Sequence, residues 1–341
     1  MSAITIGGDL VHYEVLGRGR PVVLIHGWIG AWQYWVPMMQ QIHLKYRVYA
    51  LDLFGFGDSA KNPEKYSYEQ QVNLLLEFMK QMGLPKAAFI GHGLGAMVLI
   101  KFASEHPDRV ARMLTVSAPL FNPGDLKTRN PAGTRVLLKA PPIHEEETVP
   151  NRPVQTFNEM PTVPRLGGVD RAQFLSRAAE AGDNDDLKSA IPLTPRSSGK
   201  NPLYTIFKDN TLDALLNKCF KRSDPSYDKL KVHVDKTDAQ TLLSSSMQFD
   251  AGEMLDMLRL VKSPAVVVHG ETDPVIPNPG EEVWDYLTVD NEDKLVPIPL
   301  GGVHHFPMLG HDPFFRLIGD FLSQPEITNI EVKERWRRRS R

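Results

Sequence analysis

The chain has 341 residues, 42% of them hydrophobic and 23% charged, with a formal net charge of −2. That length exceeds the usual single-domain range of roughly 50–250 residues, so one domain enlarged by an insertion, or two domains, is expected. The average apolar content excludes a wholly disordered chain, and the near-neutral balance gives no whole-chain drive toward nucleic acid or an anionic membrane.

The single cysteine, Cys219, cannot form an internal disulfide, which points to a reducing compartment. No apolar run approaches the roughly 20 residues that span a bilayer. The stretch from Met1 to Gly8 lacks the basic and apolar regions of a secretory signal, so the expected location is cytoplasmic.

In chain order, Leu10–Val15 reads as a strand and Pro21–Ile25 as a buried one ending in His26-Gly27. A helix is predicted over Trp32–His43, a strand over Arg47–Leu51, and a helix over Gln70–Met82, where Val72, Leu75, Leu76 and Met79 recur at helical spacing. Lys86–Ile90 is the next strand, Leu94–Glu105 the next helix and Arg112–Val116 another strand. Strands alternating with helices of this length imply βαβ units and a mainly parallel, doubly wound sheet, an α/β class.

The alternation then stops. Between Pro119 and Pro202 lie 12 of the chain's 27 prolines, with the acidic run Glu145-Glu146-Glu147. Proline fixes φ and removes a donor, so long regular elements are not expected there. Helical patterns return at Arg171–Ala181, Leu203–Phe220, Thr237–Met247 and Glu253–Leu260. Strand–helix alternation resumes with a strand at Ala265–Val268, a helix at Glu281–Tyr286, a strand at Lys294–Ile298 and a last helix at Pro313–Leu322. The organisation read from this is a split core, 1–120 and 260–325, a mostly helical cap over 121–259, and a basic tail over 326–341.

Several short segments carry the chemistry. Ile90-Gly91-His92-Gly93-Leu94-Gly95 lies between a strand and a helix, and His26-Gly27-Trp28 follows the strand Pro21–Ile25. His269-Gly270-Glu271-Thr272-Asp273-Pro274 and Gly302-Val303-His304-His305-Phe306-Pro307 each follow a late strand. Asp52-Leu53-Phe54-Gly55-Phe56-Gly57-Asp58-Ser59 and His106-Pro107-Asp108 accompany them. In their order and context these segments resemble the α/β-hydrolase superfamily, with its nucleophile elbow G-x-S-x-G, its oxyanion-hole loop and its acid and base loops.

The resemblance implies that Asp273 is the acid, that His305 is the base, and that the backbone N–H groups of Trp28 and Leu94 form the oxyanion hole. At the elbow it departs from the family, because Gly93 stands where serine, or aspartate in dehalogenases and epoxide hydrolases, is carried. Glycine has no side chain to attack a carbonyl, an epoxide or a carbon–halogen bond. The base loop departs too, with His304 in place of the usual glycine and Gly310 in place of the usual glutamate.

His26, His92 and His304 are expected beside the cleft, packing or hydrogen-bonding rather than reacting, and His106 is expected to be structural. Ser117, at a strand end, is a further candidate cleft residue, with a displaced nucleophile as the alternative. The 11 histidines lack metal-site spacing, so no metal or other cofactor is expected. The cap's apolar residues suggest a small apolar or amphipathic ligand, and nucleic acid is not expected as a partner. The C-terminal run from Glu331 to Arg341 carries a local charge of +4 and one tryptophan; a solvated end is favoured there over contact with anionic lipid.

Two functions stay open from the sequence. One is an enzyme of esterase or lactonase descent, working through a water activated by His305 or through proton abstraction. The other is an inactive pseudo-hydrolase that binds a ligand or serves in an assembly.

Overall fold

The structure, a computed structural model, describes residues 2–129, 201–301 and 305–330. The predicted helix at Arg171–Ala181, most of the proline-rich segment, His304 and the charged run from Glu331 lie outside the described residues.

One eight-stranded sheet organises the described residues, in the order β1-β2-β4-β3-β5-β6-β7-β8. Its strands are β1 (Ser2–Ile6), β2 (Asp9–Leu16), β3 (Arg20–Ile25), β4 (Tyr46–Leu51), β5 (Ala87–His92), β6 (Val110–Val116), β7 (Ala265–Gly270) and β8 (Leu295–Leu300). β1–β2 and β2–β4 pair antiparallel, and all other neighbours pair parallel. The expected mainly parallel α/β sheet is therefore present. The sequence reading missed β1, which hairpins onto β2 through Gly7-Gly8, both at positive φ, a two-residue turn that needs glycine's freedom.

The central strands are buried along nearly their whole length, every residue of β7 included. Their unbroken valine-rich runs are what a parallel sheet covered by helices requires. Helices α1 (Val36–Ile42), α2 (Tyr68–Gln81) and α3 (Leu94–Glu105) follow β3, β4 and β5 in the chain. α3 is apolar nearly all round because it is enclosed by β5, β6 and α2.

After residue 200 come α4 (Pro202–Lys208), α5 (Leu212–Cys219), α6 (Pro225–Asp235), α7 (Gln240–Ser246) and α8 (Ala251–Arg259). The single helix predicted over Leu203–Phe220 is two. Asn210 separates them, and the Thr211 hydroxyl caps α5 by accepting the Ala214 N–H. α6 was missed, though Asp224 caps it and Pro225 starts it, a regular opening signal. α8 packs on α3, whereas α9 (Glu281–Thr288) lies against α8 and β8, and α10 (Asp312–Ser323) contacts α1.

Candidate active site

The sheet delivers the chemistry-bearing loops to one place through the ends of β3, β5, β6, β7 and β8. Gly93 makes the sharp turn from β5 into α3, with φ 51° and ψ −110°. Its neighbours explain why that turn holds. A Cβ on Gly91 would meet the Gly95 carbonyl oxygen at 2.5 Å, and one on Gly95 would meet the Ile25 carbonyl oxygen at 2.3 Å. The close approach of helix and strands thus requires glycine at both places.

Asp273 and His305 come together as expected. The His305 Nδ1 lies 2.9 Å from Asp273 Oδ2 and 3.1 Å from Oδ1, and neither side chain is exposed. Asp273 is held from three further directions. Its Oδ1 accepts the N–H groups of Val275 and Ile276, and its Oδ2 accepts the Ser117 hydroxyl at 2.6 Å. Burial pushes the Asp273 carboxyl up, but the His305 ring and the hydrogen bonds from His305, Ser117 and Ile276 together hold it well below the usual carboxylate range. The remaining ring nitrogen of His305, Nε2, is buried and has no hydrogen-bond partner.

Ser117 sits just beyond β6 with φ 50°, an uncommon conformation for a residue with a side chain. Its proton goes to the Asp273 carboxylate, whereas an activated nucleophile would give it to the imidazole. The geometry gives Ser117 a hydrogen bond to Asp273.

His26 and His92 are both fully buried, in different networks. His26 Nε2 accepts the Leu53 N–H at 2.9 Å, which leaves Nδ1–H to donate to the Gly27 carbonyl at 2.8 Å. Burial lowers its pKa, so it is a neutral tie between the ends of β3 and β4. His92 packs its ring 4.4 Å from that of His305, and the Tyr34 hydroxyl lies 2.9 Å from its Nδ1. That hydroxyl accepts the Gly27 N–H, so its own proton goes to His92 Nδ1. Burial, then the nearby His305 ring, pushes the His92 pKa well below the ordinary histidine value.

The Trp28 indole covers Gly93. A Cβ on Gly93 would lie 3.1 Å from Trp28 Cε3 and 3.2 Å from Cζ3, so a side chain there requires the indole to give by a few tenths of an ångström. Trp28 is fixed from the other side, donating Nε1–H to Ser245 on α7 at 2.9 Å and meeting the Phe207 ring of α4 edge-on at 4.8 Å. Phe220 packs on Phe306, the neighbour of His305. The backbone N–H groups of Trp28 and Leu94 donate to no acceptor among the described residues.

Sequence reasoning missed Tyr34 and the Trp28 side chain. Tyr34 belongs to the aromatic run Trp32–Trp35, and no local spacing distinguishes it from its neighbours. Elsewhere, His12, Asp52 and Asp58 bring potential metal-ligand atoms within 4.8 Å of one another. The Asp52 oxygens already accept the Trp32 and Asp58 N–H groups and contact His12 Nδ1, and Asp58 pairs with Lys236. These contacts tie the loop after β4 to β2.

With the site's geometry in place, comparison with known proteins decides the family. The sequence matches the family described as alpha/beta hydrolase fold over residues 20–315. The chain belongs to that family. Among relatives of this α/β hydrolase is the bifunctional epoxide hydrolase 2 of Rattus norvegicus, 33% identical over 122 residues, which cover 34% of this chain and 22% of that protein. Another is the dihydrolipoyllysine-residue acetyltransferase component of the acetoin cleaving system of Pseudomonas putida, 29% identical over 66% of this chain and 61% of that protein. The chain thus spans less than two thirds of both. Among solved structures, the enol-lactonase from Burkholderia xenovorans LB400 superposes with a TM-score of 0.60 at 18% identity, covering 95% of this chain and 100% of that one. That likeness shows the fold. No described helix of this α/β hydrolase is long and apolar enough to cross a membrane.

Proposed function

We propose that this α/β hydrolase performs non-covalent general-base chemistry on a small apolar ester or lactone, with His305 as base and Asp273 as its orienting acid. One observation carries the reading: the His305–Asp273 pair is fully built, and its outer nitrogen, Nε2, has no partner. Gly93 stands where the family carries its nucleophile, so no acyl- or alkyl-enzyme can form on the elbow.

In the reaction, a water from solvent attacks the carbonyl carbon while His305 Nε2 takes its proton. The Trp28 and Leu94 N–H groups hold the oxygen that becomes negative. Collapse of the tetrahedral intermediate breaks the bond to the leaving alkoxide, which recovers the proton from His305. Abstraction of an acidic substrate proton by the same nitrogen is the simpler variant, needing no water. Residues 121–259 would act as the cap, with α4 and α7 as the part that touches Trp28.

A second reading has its own observation. The Trp28 indole lies over Gly93 and is anchored to α7, an arrangement that suits a closed pseudo-hydrolase serving as a binder. The test is hydrolysis of a panel of short esters and lactones by the parent chain and by His305→Ala. Turnover lost in the variant supports the general base. Turnover in neither supports the binder, and equal turnover in both overturns the role of His305.

A further inference from the structure

The loops that bear Asp273 and His305 leave the far ends of the parallel strands, and a cavity of about 280 Å³ lies where such strands begin. It is lined by residues at the starts of β3, β4, β5 and β6 and by the end of α10. Three lining side chains are cationic, Arg20, Lys86 and Arg112, and none is acidic. Among the described residues no carboxylate pairs with any of the three, whereas the half-buried Lys65, Lys101 and Arg129 each meet an aspartate or glutamate.

Arg112 is held in place by the end of α10. Its Nη1 donates to the Phe321 and Gln324 carbonyls, and its Nη2 to the Pro325 carbonyl at 3.4 Å. That leaves Nε–H and one Nη2–H without an acceptor among the described residues. Nε and a terminal nitrogen are a pair with which a guanidinium grips an oxyanion through two parallel bonds. The second guanidinium is near. Arg20 Cζ lies 5.8 Å from the centre of the Tyr46 ring, itself part of the lining, and after burial the Arg20 charge is what lowers the Arg112 pKa. Two like charges this close repel, and an anion beside both would replace that repulsion with attraction.

We propose that this cavity binds a phosphoryl group, carried by inorganic phosphate or by a small phosphomonoester. Charge selects the class. The single charge of a carboxylate balances only one of the three cations, whereas a phosphomonoester near pH 7 carries about −1.5 to −2 on three accepting oxygens. Arg20 and Lys86 are exposed and free to turn toward the anion, and the half-buried Arg112 offers planar donors in a fixed position. Apolar lining residues such as Ala88, Ala111 and Leu322 leave room for a small organic body.

Binding here is independent of the His305–Asp273 pair, and its test needs no turnover. The full chain, labelled with ¹⁵N and with ¹³C at alanine methyls, is titrated by NMR at low ionic strength with phenyl phosphate, inorganic phosphate and benzoate. Phenyl phosphate is expected to shift the Ala88 and Ala111 signals saturably and to bind at least tenfold more tightly than benzoate, which has the same ring and one charge. Arg20→Gln with Lys86→Gln, both at exposed positions, should weaken phenyl phosphate at least tenfold and leave the thermal melt unchanged. Inorganic phosphate as tight as phenyl phosphate supports the site with the free ion as ligand; weaker inorganic phosphate supports it with a phosphomonoester. Benzoate binding as tightly as phenyl phosphate overturns the proposal. So does phenyl phosphate binding unchanged in the double variant, or the lack of saturable shifts at Ala88 and Ala111.

Discussion

The two halves of the candidate site are furnished very differently. On the β7–β8 side, Asp273 accepts from two backbone amides and a hydroxyl and faces His305, and every partner is in place. On the β5 side, the turn at Gly93 keeps its left-handed backbone but presents only a Cα beneath the Trp28 indole. The difference teaches that the elbow's shape does not depend on its side chain. Close approach at Gly91 and Gly95 sets the turn, so no side chain at position 93 is needed to hold the backbone and the two amides where they are.

The sharpest way to break this contrast is to place a hydroxyl side chain at position 93. Gly93→Ser combined with Trp28→Phe should gain ester turnover by on the order of 10²-fold or more, since losing the serine of a complete hydrolase triad costs on the order of 10⁶. Labelling by a fluorophosphonate at position 93 checks it. Gly93→Ser alone should gain less, because the indole crowds the new Cβ. A double variant that folds and remains inert would show that the β7–β8 side is not poised for catalysis.

Next comes Asp273. Asp273→Asn should lower any His305-dependent turnover by up to about 10⁴, the size of effect known when the orienting aspartate of a serine protease is replaced. Steady-state kinetics on the best ester of the panel reads it. The same substitution should flatten the acid end of the stability profile. Asp273 titrates below its unfolded value, so its contribution is present above about pH 4 and is lost as pH falls through the folded pKa.

A smaller effect separates the buried histidines from the acid. His269 is fully enclosed, with Nε2 donating to the Ala118 carbonyl, and burial pushes its pKa down to about 4. The unfolded chain takes that proton near pH 6.5 and the folded one does not. Stability is therefore complete above about pH 6.5 and declines toward pH 4, by about 3 kcal/mol for this residue. His26 and His92 act in the same direction. Thermal melts between pH 7 and 4 should show the decline, and His269→Asn should reduce it.

The smallest expected effect is at Ser117. Ser117→Ala removes one hydrogen bond to a charged acceptor, for a loss of about 1–3 kcal/mol, and keeps the uncommon φ of 50°. Ser117→Gly loses the same bond but relieves the backbone, so it should be the more stable of the two in denaturant melts.

Legibility in the sequence followed the range of the forces involved. The strand–helix alternation, the glycines around the elbow and the order of Asp273 and His305 are local patterns, and the structure shows the same elements and brings the two side chains into contact. The Leu203–Phe220 helix was misread because apolar spacing continues across Asn210 while Thr211 starts a new cap. Tyr34 and the Trp28 indole were invisible as site residues because their partners, His92 and Ser245, are 58 and 217 positions away. Only the sheet's crossing order brings them together.

That crossing order also bears on how the molecule assembles. β6 ends at Val116 and its parallel partner β7 begins at Ala265, so about 150 residues intervene before the sheet can extend to the strands that carry Asp273 and His305. Closing such a loop costs entropy before any contact returns it, and pairings this distant in sequence slow folding. The Asp273–His305 contact is therefore expected to form late on the folding path, and NMR of the His305 ring during refolding would check whether it arrives with the last two strands.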